Sequence, residues 1–195
     1  MRTAAVAIMS AAALTVTSCA TAGTDAVVQG GTFNFVSPGG QTEIFYDPPE
    51  SRGKIGALSG PSLMDPDETI ELADFAGQVV VINVWGQWCA PCRTEMPELQ
   101  QVYDDTEQLG VQLLGINVRD PHIQKAQDFV VDFGLTFPSV YDPSMRTLIA
   151  MQGVPTSVVP MTFVLDREQR VAAVFLRDLL VEDLQPVVER VAQEQ

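Results

Sequence analysis

A run of seven residues, Val79 to Trp85, apolar but for Asn83, is separated by two residues from the sequence Trp88-Cys89-Ala90-Pro91-Cys92. The run is rich in β-branched residues and shows no alternation, which suits a central strand buried on both faces. A helical stretch follows, from about Pro91 to Leu109, and Gly110 is placed to end it as a C-cap glycine. Val111 to Val118 then reads as a second apolar strand. Strand, helix, strand in this order predicts two parallel strands joined by a right-handed crossover. The two cysteines therefore stand at a strand-to-helix junction.

That junction has chemical consequences. The first turn of a helix carries unpaired N–H groups and a partial positive charge. Cys89, just ahead of the turn, gains thiolate character there, and the thiolate is the species that attacks a disulfide sulfur. Cys92 is one turn further on, within reach to close an intramolecular disulfide. Pro91 fits the first turn because its missing N–H would have had no partner. The expected cycle begins with attack by Cys89 on a substrate disulfide and ends with resolution of the mixed disulfide by Cys92. The redox group is the Cys89–Cys92 pair itself, and no other cofactor is expected. Zinc would need four ligands in a closed site, and beyond this pair the chain offers the single histidine His122, read as a surface residue. A structural disulfide spanning two intervening residues would constrain the unfolded chain very little.

The rest of the chain reads as one α/β domain with a lead-in. Thr32 to Val36 and Thr42 to Tyr46 alternate polar and apolar residues around Ser37-Pro38-Gly39-Gly40, which predicts a β-hairpin. Asp47 to Gly60, with two prolines and three glycines, reads as irregular. Thr69 to Leu72 is a short strand, Ile123 to Phe133 a helix, Phe137 to Tyr141 a strand and Ser144 to Met151 a short helix. Met161 to Asp166 and Arg170 to Phe175 form an antiparallel hairpin, and Val181 to Ala192 a closing helix. The fold class is α/β, a central mixed sheet flanked by helices.

The chain begins with a targeting signature. Met1-Arg2 is followed by an apolar or small stretch, Ala4 to Val16. It is shorter than the ~20 residues that span a bilayer and suits a signal-peptide core. Val16-Thr17-Ser18-Cys19 resembles a bacterial lipobox, which implies cleavage before Cys19 and a diacylglycerol on its thiol. An ordinary secretory peptide cut near Ala20 or Ala22 is the alternative, and both readings export the protein. The expected organisation is a signal peptide over 1–18, a lipidated tether and hairpin extension over 19–54, and the catalytic domain over 55–195. Lipidation would consume the odd one of the three cysteines. The net charge of −14 offers no basic stripe for phosphates, so nucleic acid is excluded as a partner.

The block Val81-Ile82-Asn83-Val84-Trp85-Gly86-Gln87-Trp88-Cys89-Ala90-Pro91-Cys92-Arg93-Thr94-Glu95-Met96-Pro97 resembles the active-site block of TlpA/ResA-type proteins. These are membrane-anchored, thioredoxin-like oxidoreductases of bacterial envelopes. The resemblance extends over roughly residues 55–195 and leaves the N-terminal hairpin unexplained. It implies a thioredoxin-like fold and protein disulfides or thiols as substrates, with reduction as the direction and cytochrome c maturation as a candidate task. It also implies an electron donor embedded in the membrane and a place on its extracytoplasmic face.

Further residues follow from that resemblance. Glu95, one helical turn past Cys92, corresponds to an acid that influences the thiols and proton transfer; the alternative is a helix-surface glutamate. Asn83 stands where thioredoxin has a buried aspartate, and being unable to titrate it leaves Glu95 as the proton carrier. Of Pro155 and Pro160, Pro160 matches the cis-proline that precedes a Thr-Phe strand and faces the cysteines. Trp88 flanks the site or packs in the core.

Three rival functions fit the sequence less well. A Sco-type copper-delivery protein shares the fold but spaces its cysteines C-x-x-x-C with a distant histidine, whereas His122 comes early in this chain. A peroxiredoxin lacks the Trp-Cys-x-x-Cys context. A non-catalytic lipoprotein with a relic motif fits poorly with an intact Trp88-Cys89-Ala90-Pro91-Cys92.

Overall fold

All seven side chains of Val79–Trp85 (β4) are buried, as a strand covered on both faces requires. In the computed structural model, residues 31–194 are described. The expected signal segment 1–18, Cys19 and the expected tether to residue 30 lie outside them. β4 continues through helix α1 (Ala90–Thr106) and a short 3-10 turn into β5 (Val111–Val118), which pairs with it in parallel from Val79–Val111 to Trp85–Asn117. Gly110 ends the helical stretch with φ 78°, a left-handed conformation that favours glycine.

Helix α2 (Ile123–Asp132) leads to β6 (Ser139–Asp142), parallel to β5. β7 (Met161–Leu165) and β8 (Val171–Phe175) form the expected hairpin, with β7 antiparallel to β4. Helix α3 (Val181–Gln193) follows. The N-terminal part supplies β1 (Glu43–Phe45) and the small pair β2 (Ser59–Pro61) and β3 (Thr69–Glu71). The main sheet has six strands in the order β1-β8-β7-β4-β5-β6.

The N-terminal hairpin is not formed. Glu43–Phe45 pairs antiparallel with β8, as the sheet's edge strand. Thr32 and Asn34 instead make isolated parallel bridges to Lys54 and Gln152. The alternation has a different cause: Phe33, Phe35, Ile44 and Tyr46 all point into the core. Phe33 packs edge-on against Tyr46 and Phe163, with ring centroids 5.6 and 6.5 Å apart. Period-two patterning specifies a buried face, and here the main sheet provides it. Residues 31–54 thus belong to the same core as the segment expected to begin at 55.

That core has two layers. Val79, Val81 and Trp85 join a cluster with the buried residues of α1, α2 and α3. Val80, Ile82 and Val84 join a second, built with Phe33, Phe35, Ile44, Leu58, Leu148 and Met151. No buried residue of the three helices contributes to the second cluster, so the N-terminal extension and the 146–154 region cover that face of the sheet. Arg52 fastens the extension: its side chain is fully buried and donates to Tyr46 O, Asp47, Asp166 and Glu194, the last just beyond α3. The lead-in expected to be irregular therefore contains a buried ionic anchor.

Candidate active site

The cysteines sit where β4 hands over to α1. Cys89 is the N-cap of α1, and its Sγ accepts the Cys92 N–H at 3.2 Å, which satisfies one free amide of the first turn. Pro91 occupies the first turn. Cys89 and Cys92 are joined in a disulfide, with Cα atoms 5.3 Å apart. Both residues are buried, Cys92 completely. Once the disulfide opens, the helix terminus favours a thiolate at Cys89.

The turn before the motif is fixed from β5. Gln87 N–H donates to Asp120 Oδ2 at 3.0 Å, and Asn117 Nδ2 donates to the same oxygen at 2.7 Å. Trp88 is 43% exposed, and its Nε1 donates to Val118 O at 3.1 Å. It therefore flanks the site and is not core packing. Gly86 makes room for it, since a Cβ there would lie 2.4 Å from the indole nitrogen. The Arg119 guanidinium lies 5.8 Å from the centre of the Trp88 ring and also donates to Thr156 O. Asp120 and Arg119 were not singled out from the sequence. The only local signal Asp120 offers is an acid just past the end of β5, before Pro121.

On the other side of the disulfide lies the loop before β7. The Val159–Pro160 peptide bond is cis, and Pro155 is not the cis residue. Val159 O is 3.7 Å from Cys89 Sγ. A free thiol at Cys89 could donate to this carbonyl.

One helical turn past Cys92, Glu95 is 1% exposed, which rules out a surface glutamate. Its Oε1 accepts Asn83 Nδ2 at 2.9 Å and its Oε2 accepts the Leu179 N–H at 3.2 Å. Burial pushes the Glu95 carboxyl up to about 8; the Asn83 and Leu179 bonds pull the other way, and the nearby Asp178 charge adds to the rise. Asn83 Nδ2 also donates to Thr162 Oγ1 at 3.0 Å, across the β4–β7 register. Thr162, read from the sequence only as part of the Thr-Phe strand after Pro160, and Leu179, not named there, also belong to this network. His122, exposed at the N-cap of α2, is not among these residues.

A buried dicysteine pair capping a helix, set against a cis-proline loop on a mixed sheet, defines a thioredoxin-like thiol-disulfide oxidoreductase. The chain belongs to the AhpC/TSA family, whose profile matches residues 58–174. It is similar to the thiol-disulfide oxidoreductase ResA of Geobacillus thermodenitrificans, with 34% identity over 120 residues, 62% of this chain and 67% of that protein. Among solved structures it is similar to a secreted thiol-disulfide isomerase from Corynebacterium glutamicum, at 48% identity and a TM-score of 0.82, covering 85% of this chain and all of that one. A DsbF homologue from Corynebacterium diphtheriae, also 48% identical, has a TM-score of 0.78 over 82% of this chain and 99% of its own.

Proposed function

We propose that the protein reduces disulfides of exported proteins by dithiol exchange at Cys89 and Cys92, with Glu95 carrying the proton. The observation that carries this reading is the disulfide itself, placed at the start of α1 with the Val159 carbonyl against Cys89. In the reduced enzyme the Cys89 thiolate attacks a substrate disulfide, and the first substrate sulfur leaves as a thiolate and takes a proton. Glu95, left as the carboxylate when it gave its proton to the Cys92 sulfur in the preceding reduction of the enzyme disulfide, takes the Cys92 proton back. The Cys92 thiolate then attacks Cys89 Sγ, the Cys89–Cys92 bond forms, and the second substrate sulfur leaves and is protonated. Two enzyme thiols have become a disulfide and the substrate disulfide two thiols. Return to the dithiol state requires an electron donor, for which a membrane-embedded dithiol protein is the proposed class. Glu95, neutral at pH 7, supplies the proton for the departing Cys92 thiolate.

The proposed place of action is the extracytoplasmic face of the membrane, with Cys19 lipidated and the following residues as a leash. The apolar stretch Ala4 to Val16 and the small residues before Cys19 support export and lipidation. The solved relative from C. glutamicum is described as secreted. Apocytochrome thiols kept reduced for haem attachment are one substrate class compatible with the site.

Trapping tests the assignment of roles. Cys92→Ser is expected to accumulate a mixed disulfide with a substrate through Cys89, and Cys89→Ser is not. Accumulation through Cys92 would reverse the roles, and absence of exchange by the wild type would end the proposal.

A further inference from the structure

We infer that Asn83 is the positioning residue for the Glu95 proton: its carboxamide donates to the carboxylate and, after a half-turn, accepts from the carboxylic acid, with the Thr162 hydroxyl reversing in step. This rests on the reading of Glu95 as proton carrier and specifies how the site accommodates the proton.

In the arrangement observed, both carboxylate oxygens of Glu95 face donors: Asn83 Nδ2 at Oε1 and Leu179 N–H at Oε2. An ionised carboxylate accepts only, so this is the bonding of the anion. Both partners are donors, so a proton on either oxygen finds no acceptor in them. Yet burial favours the neutral acid at neutral pH, and a buried hydroxyl needs an acceptor.

The Leu179 donor is backbone and cannot reverse. The Asn83 carboxamide can, because its oxygen and nitrogen ends have nearly the same shape. Asn83 Oδ1 is buried and has no hydrogen-bond partner among the described residues. No bond therefore holds the amide in its present sense except the two made by Nδ2. A half-turn about Cβ–Cγ brings Oδ1 to the position from which Nδ2 now reaches Glu95 Oε1 and Thr162 Oγ1. There it can accept the new Glu95 O–H. The Thr162 hydroxyl, now the acceptor of Nδ2, becomes the donor, a change open to any hydroxyl. One unpartnered amide end replaces the other, so neither sense is excluded by lost bonds.

Charged groups around Glu95 do not provide a substitute. Asp178 precedes Leu179 and repels the anion. Arg177 is engaged with Glu43 and Asp183. Glu98, one turn further along α1, accepts the Val181 N–H. From β4 and β7 the facing polar groups are Asn83 and Thr162 themselves, and Cys92 lies on Glu95's own helix. An aspartate at 83 could not play this part, since it would set a second negative charge against Glu95. Thr162 lies opposite Asn83 in the register and two residues past Pro160, so the strand that carries the substrate-facing loop shares the proton's bonding network.

The test is an NMR titration of the oxidised, isotopically labelled chain from pH 6 to 10. It follows the Glu95 carboxyl carbon and the Asn83 side-chain NH2 group, with Glu95→Gln to assign the response. Both signals are expected to share one midpoint. Nuclear Overhauser contacts from the Asn83 NH2 protons to Glu95 and Thr162 are expected above the midpoint and lost below it. In Glu95→Gln the Asn83 signals should not titrate. If Glu95 titrates while the Asn83 contacts persist at every pH, the amide does not turn and only this inference fails. If the Glu95 carboxyl does not titrate in this range, the proton-carrier reading fails with it.

Discussion

Replacing Glu95 with glutamine should change how the stability of the oxidised protein depends on pH. In the unfolded chain the carboxyl titrates near 4.5, and in the folded protein near 8. Between these values the native state holds a proton that the unfolded state has released. Stability therefore falls as pH rises through this window: the contribution is fully present below 4.5 and lost as pH passes 8. The window is about 3.5 pH units wide, and at 1.36 kcal/mol per unit its ceiling is about 5 kcal/mol. Relaxation around the ionised group lowers that, so a change of about 2–5 kcal/mol is expected in the difference between wild type and Glu95→Gln. Glutamine is neutral in both states and has no such slope, and the other acids, common to both proteins, largely cancel. Guanidinium denaturation of both oxidised proteins at several values from pH 4.5 to 9 measures the difference. Parallel profiles would refute the reasoning. So would a wild type that gains on the variant as pH rises, because that is the signature of a carboxylate stabilised as the anion.

Other perturbations probe the anchor and the export signal. Arg52→Met should cost about 3 kcal/mol, the lower end for breaking a buried ion pair, because Asp166 keeps Arg170 and two backbone donors. Denaturant midpoints measure it, and an unchanged midpoint would show that the guanidinium's bonds merely replace hydration. Cys19→Ala should move the protein from the membrane fraction to a soluble exported fraction while dithiol exchange in vitro is unaffected. A native protein that is already soluble, with its mature N-terminus at Thr21 or later, would leave export without the anchor.

Local chemistry made much of this molecule legible. The apolar run of β4, the glycine after α1 and the apolar strand β5 are signals each carried by neighbouring residues, and β4, α1 and β5 appear where the sequence puts them. The position of Cys89 ahead of a helix is equally local. Alternation in Thr32–Val36 and Thr42–Tyr46 was also real, but it encodes which side chains are buried and carries nothing about which strand lies alongside. The free edge of β8 took β1, and the expected hairpin did not form. Arg52 shows the same limit more sharply. A lone arginine among prolines and glycines looks solvated until Asp47, Asp166 and Glu194, up to 142 residues away in sequence, converge on it.

Glu95 falls between these cases. Its spacing from Cys92 places it on the cysteine's side of α1, and that much is helical geometry. Its protonation depends on contacts that spacing cannot supply: Asn83 from β4, the Leu179 N–H and the Asp178 charge from the lead-in to α3, and Thr162 behind Asn83 on β7. Asn83 and Leu179 are 12 and 84 positions from Glu95, and the Asn83–Thr162 pair spans 79. A glutamate on an isolated helix would ionise in the ordinary range. Enclosed by three further elements it stays neutral near pH 7, close enough to its titration point for the proton exchange with the Cys92 sulfur that we propose. The dicysteine motif is thus written in one short stretch of chain, while the raised titration point of the acid proposed to serve it is a product of the completed fold.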